Sequence, residues 1–229
     1  MSTETAVLFW SAITVFFYLI ARQIYLRHPR WWLAPTLLTW VGCAGIMALM
    51  KVTYPEYLRG TQWIASFLGP ATVAFALIIH EQRALIRLYW PTMLVGITVG
   101  SLLALGSAWA LAYMLQLPED WQASLMPRSV TTPFAMAMSD QIGGIPELTA
   151  SLVAITGLLG TAMGEVLLKR LPLRTAMARG AMLGMGVQGS GTARAYELGR
   201  EEGAVAALVM ILAGLVNVLG ATAVSSFWR

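Results

Sequence analysis

Long apolar runs separated by short polar clusters dominate the pattern along this chain. Five runs of 16 to 28 residues are continuous, at positions 6–21, 31–50, 88–115, 145–168 and 204–227. A helix needs roughly 17–25 apolar residues to cross a bilayer. The pattern therefore predicts an all-α integral membrane protein, and the five runs are its clearest spans.

Three further apolar segments carry helix-breaking residues near their middles. Residues 54–80 contain LGP (68–70), residues 124–140 contain PRSVTTP (127–133), and residues 175–200 contain GVQGSGT (186–192). Broken backbone that faces lipid costs several kcal/mol for each unpaired group, so it occurs where it lines a cavity or packs on protein. We expect about seven transmembrane helices together with broken or re-entrant half-helices.

Charge supplies an orientation for these elements. Charged residues make up only 11% of the chain, and its Lys and Arg residues cluster at the ends of apolar runs. Basic loops at residues 22–30 and 169–179 are predicted to be cytoplasmic, while the acidic loop 116–122 is predicted to be external. If 88–115 runs outward and 145–168 runs inward, the segment 124–140 cannot cross. It should enter from outside and turn back as a re-entrant hairpin.

The same composition bounds the function. Although the net charge is +4, the basic residues form no continuous stripe, so a nucleic-acid partner is not expected. Cys43 is the single cysteine, which excludes an intrachain disulfide. No metal-ligand pattern, cofactor motif or catalytic signature such as GxSxG or HExxH is present, so we expect neither an enzyme nor a cofactor. The chain should be a multi-pass protein of the bacterial cytoplasmic (inner) membrane.

An internal repeat points to transport. LVGIT (94–98) and LVAIT (152–156) agree at four of five positions, and residues 69–80 can be aligned with 129–140. The predicted topology makes the two copies, near 60–115 and 124–168, antiparallel. Inverted repeats of this kind are typical of secondary transporters. We therefore divide the chain into an N-terminal pair of spans (1–53), serving as scaffold or oligomer contact, and a transport core (54–229) with a third broken segment at 175–200.

Each broken segment places a threonine just after its turn. Thr72, Thr132 and Thr192 are acceptable N-caps, and each is predicted to begin a half-helix. Half-helix N-termini present free N–H groups and partial positive charge, which suits a small anion such as a carboxylate. Arg194 would supply the full counter-charge, although it could instead pair with Glu197 or Glu201. Arg128 is a weaker candidate for the counter-charge, and its position at the headgroup level is the favoured alternative.

The resulting candidate site combines the three turns. Gln188 and Ser190 would hydrogen-bond substrate or satisfy the broken backbone, and Asp140 is the candidate for proton or cation coupling, unless it is an ordinary external charge. Asp140 precedes a turn predicted at the tip of the hairpin, formed by Gly143, Gly144 and Pro146. The predicted substrate-binding residues are Gly69, Pro70, Thr72, Ser129, Thr131, Thr132, Gln188, Ser190, Gly191, Thr192 and Arg194.

Three stretches resemble the LrgB/CidB family of bacterial membrane proteins. They are FLGPATVAFAL (67–77), SLMPRSVTTPFAMAMSDQIGGIPELTA (124–150) and GSGTARAYE (189–197), within a resemblance that runs from about residue 54 to the C-terminus. Gln188 stands where members often have a histidine, and His80 stands where they usually have a tyrosine.

The resemblance implies two competing functions. One is a holin/antiholin-like protein that controls murein hydrolase activity and autolysis with a smaller LrgA/CidA-like membrane partner. The other is transport of small monocarboxylates such as pyruvate or glycolate. The inverted repeats and half-helices favour the carrier, since a lesion-forming holin has no need of them. A subunit that is inactive without its partner is a third alternative, and a homodimer is the first expectation for the oligomer.

Overall fold

The computed structural model describes residues 3–28 and 31–227, and within these ranges the chain is helical with no strand. The all-α prediction is confirmed. Ten α-helices follow one another in the described part, and short 3-10 turns at Trp31–Leu33 and Met126–Ser129 precede α2 and α7. The helices are α1 (Thr3–Arg27), α2 (Pro35–Met50), α3 (Tyr54–Ser66), α4 (Leu68–Glu81), α5 (Arg83–Met114), α6 (Glu119–Leu125), α7 (Thr132–Gln141), α8 (Pro146–Arg170), α9 (Ala176–Leu198) and α10 (Arg200–Phe227).

Five helical segments of the described chain are long and apolar enough to cross a membrane. They are Thr5–Arg27, Tyr54–Glu81, Arg83–Met114, Pro146–Arg170 and Arg200–Ala223. The helix α2 is apolar but has only 16 residues, which corresponds to about 24 Å. The chain is thus a membrane protein with five such segments, fewer than the seven or so predicted. The inverted repeat built on LVGIT and LVAIT stays a prediction.

The predicted break at LGP (68–70) is nearly absent. A single residue, Phe67, separates α3 from α4, and its backbone is itself right-handed helical at φ −71°, ψ −11°. Pro70 lies in the first turn of α4, where a missing N–H and the fixed φ of proline do not disturb the helix. The two helices together therefore form one crossing segment, so the sequence cue was misleading here.

The chain divides into two compact units, residues 1–73 and 74–229, and the boundary falls within α4. In the first unit, hydroxyl bonds tie α1 to α3. Ser11 donates to the Gly60 carbonyl at 3.1 Å and accepts from Trp63 Nε1 at 2.6 Å, and Thr14 and Tyr57 share a hydrogen bond of 2.9 Å. The predicted functional division at residue 53 stays a prediction.

The second unit is built around α10. In its most apolar stretch 61% of residues are buried, against at most 17% in the other crossing segments. Its buried residues Val205, Leu208 and Val209 pack with Met93 and Ile97 of α5. Because α10 is shielded from lipid, it can carry a polar residue, and the Asn217 amide donates to Ser101 Oγ of α5 at 2.9 Å.

Residues 124–145, here called hairpin A, fold back so that their two ends meet. The Ile145 amide donates to Ser124 Oγ at 2.7 Å, and Thr149 Oγ1 donates toward the Ser124 carbonyl at 3.0 Å. From residue 124 the chain passes through the end of α6 and the 3-10 turn, reverses at residues 130–131, and returns through α7 to residue 145. Gly143 and Gly144 therefore lie at the mouth of the hairpin, and their predicted position at its tip is wrong.

Residues 176–198, here called hairpin B, also reverse direction. The helix α9 breaks at Gln188, which has φ 58° and ψ −130°. After the break, Gly191 lies so close to the Leu183 carbonyl that a Cβ on Gly191 would be 2.2 Å from that oxygen. In a continuous helix, residues eight apart are separated by about 12 Å along the axis, so the second half of α9 must run back along the first.

The mouths of the two hairpins lie at opposite ends of α8. Hairpin A ends at residue 145, where α8 begins, and hairpin B begins six residues after α8 ends at Arg170. The start and the end of hairpin B also lie close together. Arg179 Nη2, near the start of the hairpin, is 2.6 Å from Glu202 Oε1 in the first turn of α10, which directly follows the hairpin. Since α8 is itself a crossing segment, the hairpins enter the unit from opposite ends.

Candidate functional site

The tips of the two hairpins meet in the interior of the second unit. Gln188 Nε2 at the tip of hairpin B donates to the carbonyl oxygen of Arg128 in hairpin A at 3.1 Å. Gln188 is 4% exposed. These two turns were expected to lie in one site, and the structure brings them together by a direct contact.

The meeting point lies near the middle of α8. Ser190 Oγ, just past the tip of hairpin B, lies 3.2 Å from the Gly157 carbonyl of α8 and 3.1 Å from the Val187 carbonyl. Gly157 is the twelfth of 25 residues in α8, so the tips lie about 17 Å from its first residue. Ser190 thus satisfies broken backbone, which was one of its two predicted roles.

Arg128, whose carbonyl oxygen accepts this hydrogen bond, also carries a cationic guanidinium group. Its Nη1 atom is buried and makes no hydrogen bond to any residue that the structure describes. The 3-10 turn that carries Arg128 packs among α5, α6, α7, α8 and α9. A buried charge without a full set of partners is costly, so this guanidinium is suited to receive an anion. Its expected position at the headgroup level is not what the structure shows.

A half-helix begins beside this arginine, as predicted, but its cap is shifted by one residue. The helix α7 starts at Thr132, and Thr131 occupies the N-cap position with an extended backbone. Pro133 then falls at the second helical position, and no side chain in the described part of the chain caps this end. Pro133 has no N–H, so the first N–H groups of α7 belong to Thr132 and Phe134, four and six residues after Arg128, and no side-chain oxygen caps them. Ser129 precedes this turn and is partly buried.

The other two threonines do not begin half-helices. Thr72 lies inside α4, where its hydroxyl donates to the Leu68 carbonyl at 2.7 Å and the preceding amide of Ala71 is already bonded to Phe67. Thr192 lies one turn beyond the break at Gln188, and its hydroxyl contacts Met210 Sδ at 3.6 Å. Both N-cap predictions are wrong, because the helices restart earlier than the threonines, at Leu68 and immediately after Gln188.

The three glycine and proline residues predicted to bind substrate are divided between the two compact units. Gly69 and Pro70 are exposed and belong to the first compact unit, so their part in a site with residues of the second unit stays a prediction. Gly191 is buried against Leu183 and serves close packing within hairpin B.

Arg194 takes part in ion pairs. Its Nη1 lies 2.5 Å from Glu197 Oε2, and its Nε lies 3.5 Å from Glu165 Oε1 of α8. The pair with Glu197 is the alternative left open for Arg194, and Glu165 is a second acidic partner that was not expected. Glu165 could have been identified from the sequence as a candidate, since it is an acidic residue inside the apolar run 145–168.

Asp140, the coupling candidate, is exposed in the last turn of α7 at the mouth of hairpin A. The mouth itself is closed by buried hydroxyls, including a contact of 2.7 Å between Thr149 Oγ1 and Ser139 Oγ. Gly143 has φ 82°, a left-handed conformation that glycine adopts without strain. Pro146 is at the start of α8, where proline is well tolerated.

An apolar cavity of about 150 Å³ lies between α5, α9 and α10. Met93, Met177 and Met185 line it together with aliphatic residues, and Thr92 supplies its one hydroxyl. It offers no counter-charge for a carboxylate. No group of three or more His, Cys, Asp or Glu side chains that could hold a metal ion occurs among the described residues.

Comparison with known proteins gives matches over nearly the whole length of the chain. Residues 14–227 match the LrgB-like family. The chain is 37% identical to the uncharacterized protein YwbG of Bacillus subtilis (strain 168) over 94% of its own length and 96% of that protein. It is 31% identical to the uncharacterized protein YxaC of the same organism, over 90% and 89% of the two chains.

A further relative comes from a distant bacterium. An uncharacterized protein of Haemophilus influenzae (strain ATCC 51907 / DSM 11121 / KW20 / Rd) is 31% identical over 91% of this chain and 90% of its own length. No solved structure matches the chain. The extent of the family match and of these relatives establishes that the chain belongs to the LrgB-like family.

Proposed function

We propose that this protein is a carrier of small monocarboxylates in the bacterial cytoplasmic membrane, with pyruvate and glycolate as representative substrates. The observation that carries the proposal is the Arg128 guanidinium, whose Nη1 is buried without a hydrogen-bond partner in the described structure. It lies in the turn that meets the tip of the opposing hairpin. An anion bound there would pair a cation that otherwise stays incompletely compensated.

The chemistry of the surroundings favours a carboxylate of small size. Arginine presents a planar fork that matches both oxygens of a carboxylate, and the uncapped N-terminus of α7 adds N–H donors and partial positive charge. Apolar residues follow directly, since Val130 and Phe134 are buried in one cluster with Val153 of α8. A methyl or hydroxymethyl group would fit this mixture better than a long or highly charged molecule.

The arrangement of the hairpins supports a carrier over a pore. A carrier needs a site near mid-membrane that is reached from one side at a time. Here the tips of hairpins A and B meet at the level of Gly157, and each hairpin covers the site from a different end of α8. Movement of one hairpin, with the other at rest, would expose the site to one side only. A lesion-forming pore does not require two hairpins that close one site from opposite ends.

The other functional assignments follow from the proposed carrier. Asp140 is the coupling candidate, and it is exposed at the mouth of hairpin A, where we expect it to be reached from one aqueous side. A homodimer and an LrgA/CidA-like membrane partner are the proposed assemblies. The holin/antiholin alternative has no separate structural feature in its favour.

Uptake into proteoliposomes tests the proposal. Purified protein would be reconstituted alone, and influx of labelled pyruvate and glycolate measured with and without a proton gradient. The carrier predicts saturable influx that unlabelled substrate competes, with no leak of a trapped small dye. Dye leak without saturation would instead favour the pore. If no flux occurs with or without a co-reconstituted LrgA/CidA-like partner, the carrier proposal is wrong.

A further inference from the structure

Gln188 connects the two hairpins through its side chain. Its amide nitrogen donates to the Arg128 carbonyl at 3.1 Å, across sixty positions of sequence. This bond joins the tip of hairpin B to the turn of hairpin A. It therefore acts on the backbone of the residue whose guanidinium is proposed to bind the substrate.

The backbone of Gln188 makes its identity informative. At φ 58° and ψ −130° it adopts a conformation that favours glycine and strains other residues. Glycines stand close by at positions 186, 189 and 191. If reversal of the chain were the sole requirement, glycine would be the least strained residue at position 188 as well. The presence of a strained, buried glutamine indicates that its side chain has a use there.

We propose that Gln188 is a positioning residue for substrate binding. By holding the Arg128 carbonyl, it fixes the 3-10 turn of hairpin A and so sets where the Arg128 guanidinium lies relative to the N-terminus of α7. Gln188 acts through Arg128 and does not itself bind the carboxylate. This inference rests on the proposed function only for the identity of the ligand that the positioned arginine receives.

The first test is equilibrium binding of pyruvate to purified variants. Gln188→Met removes the donor but keeps a side chain of similar length, and it should weaken binding between about two- and ten-fold, the range for loss of one hydrogen bond. Gln188→Gly removes the donor and the backbone strain together. It should weaken binding to the same extent while its Tm is at least that of Gln188→Met. A purely structural role for Gln188 would make the glycine variant bind as the wild type does.

A double-mutant cycle tests whether the effect passes through Arg128. Arg128→Lys keeps a positive charge, so binding should remain measurable although weaker. In that background Gln188→Met should cost less than twofold, because the precise placement that Gln188 provides has already been lost. A full, additive loss in the Lys background would show that Gln188 contacts the ligand directly and would overturn the positioning role.

Hydrogen exchange separates this inference from the proposed function, since it needs no substrate. In the wild type the Val130 amide is bonded to the Pro127 carbonyl at 2.9 Å within the turn of hairpin A. Gln188→Met should accelerate exchange across residues 126–131 and leave α10 residues 205–211 unchanged. Unchanged exchange at 126–131 would refute the positioning role even if pyruvate binds. Faster exchange at residues 126–131 without any carboxylate binding by the wild type would refute the carrier function. It would leave intact the inference that Gln188 positions the turn of hairpin A.

Discussion

Gln188 and Arg128 are joined by one hydrogen bond of 3.1 Å from side-chain amide to backbone carbonyl, and this bond brings the tips of two opposed hairpins together. Arg128 also carries a buried guanidinium nitrogen that makes no hydrogen bond within the described chain, and α7 begins four residues after Arg128 without a side-chain cap. The proposed carrier function depends on this junction, and the following predictions test its parts separately.

Thr132→Val should weaken carboxylate binding without destabilising the protein. Thr132 is the first residue of α7, and its hydroxyl makes no hydrogen bond within the described chain. Valine has a similar shape, so we expect a change in unfolding free energy below about 0.5 kcal/mol, as at sites where no interaction is lost. Pyruvate titration and thermal melting of the same sample would measure both quantities. Unchanged affinity would remove the Thr132 hydroxyl from the site.

Arg194→Gln should have the opposite effect. Arg194 pairs with Glu197 and Glu165, and the three side chains are each about one-third exposed. We therefore expect a loss of stability of up to about 1 kcal/mol, as for other partly exposed ion pairs, with substrate affinity unchanged. A large loss of affinity at unchanged stability would restore Arg194 as the substrate counter-charge.

Gly191→Ala tests the reversal of α9. A methyl group at this position would lie 2.2 Å from the Leu183 carbonyl, so the second half of the hairpin would have to move away. We expect a destabilisation of about 1–3 kcal/mol, the usual range for overpacking, measured as a lower Tm. Gly189→Ala is the matched control, because nothing lies within 4 Å of its added methyl group. Equal effects of the two changes would contradict the folded-back arrangement.

The opposite placement of the hairpin mouths can be tested by chemical labelling. Cys43 is the single cysteine, so Cys43→Ala provides a background for new sites. Glu119→Cys lies before hairpin A and Arg174→Cys lies before hairpin B, and both positions are exposed. In sealed vesicles of defined orientation, an impermeant thiol reagent should label one position from outside and the other only after lysis. Labelling of both from the same side would exclude the opposed hairpins.

The sequence was sufficient for the membrane class and for hairpin A. Apolar runs gave most of the crossing segments, and the alternation of basic and acidic loops required residues 124–140 to turn back. The turns at 127–133 and 186–192 were also assigned to one site. The predictions of the membrane class and of the reversal within residues 124–140 succeeded because they depend on lipid solvation and loop charge, which local composition reports directly. The assignment of the two turns to one binding site stays a prediction.

The details of the junction depend on tertiary contacts and could not be predicted. Glycine, which lacks a Cβ, is the residue expected at a positive φ, so a break at Gln188 could not be anticipated when glycines stand beside it. Arg128 was expected at the headgroup level, whereas its turn packs among five helices and a guanidinium nitrogen is buried. Pro70 pointed to a break that the first turn of α4 absorbs.

The most direct test of the central claim is equilibrium binding of pyruvate to the wild type, to Arg128→Gln and to Arg170→Gln, measured by calorimetry on purified protein. Arg170 is an exposed arginine at the end of α8, so its variant loses the same charge away from the junction. We predict saturable binding by the wild type, a loss of at least about tenfold in Arg128→Gln, as expected when a charged hydrogen-bonding partner is removed, and unchanged affinity in Arg170→Gln. Equal affinity of Arg128→Gln and the wild type would contradict the account.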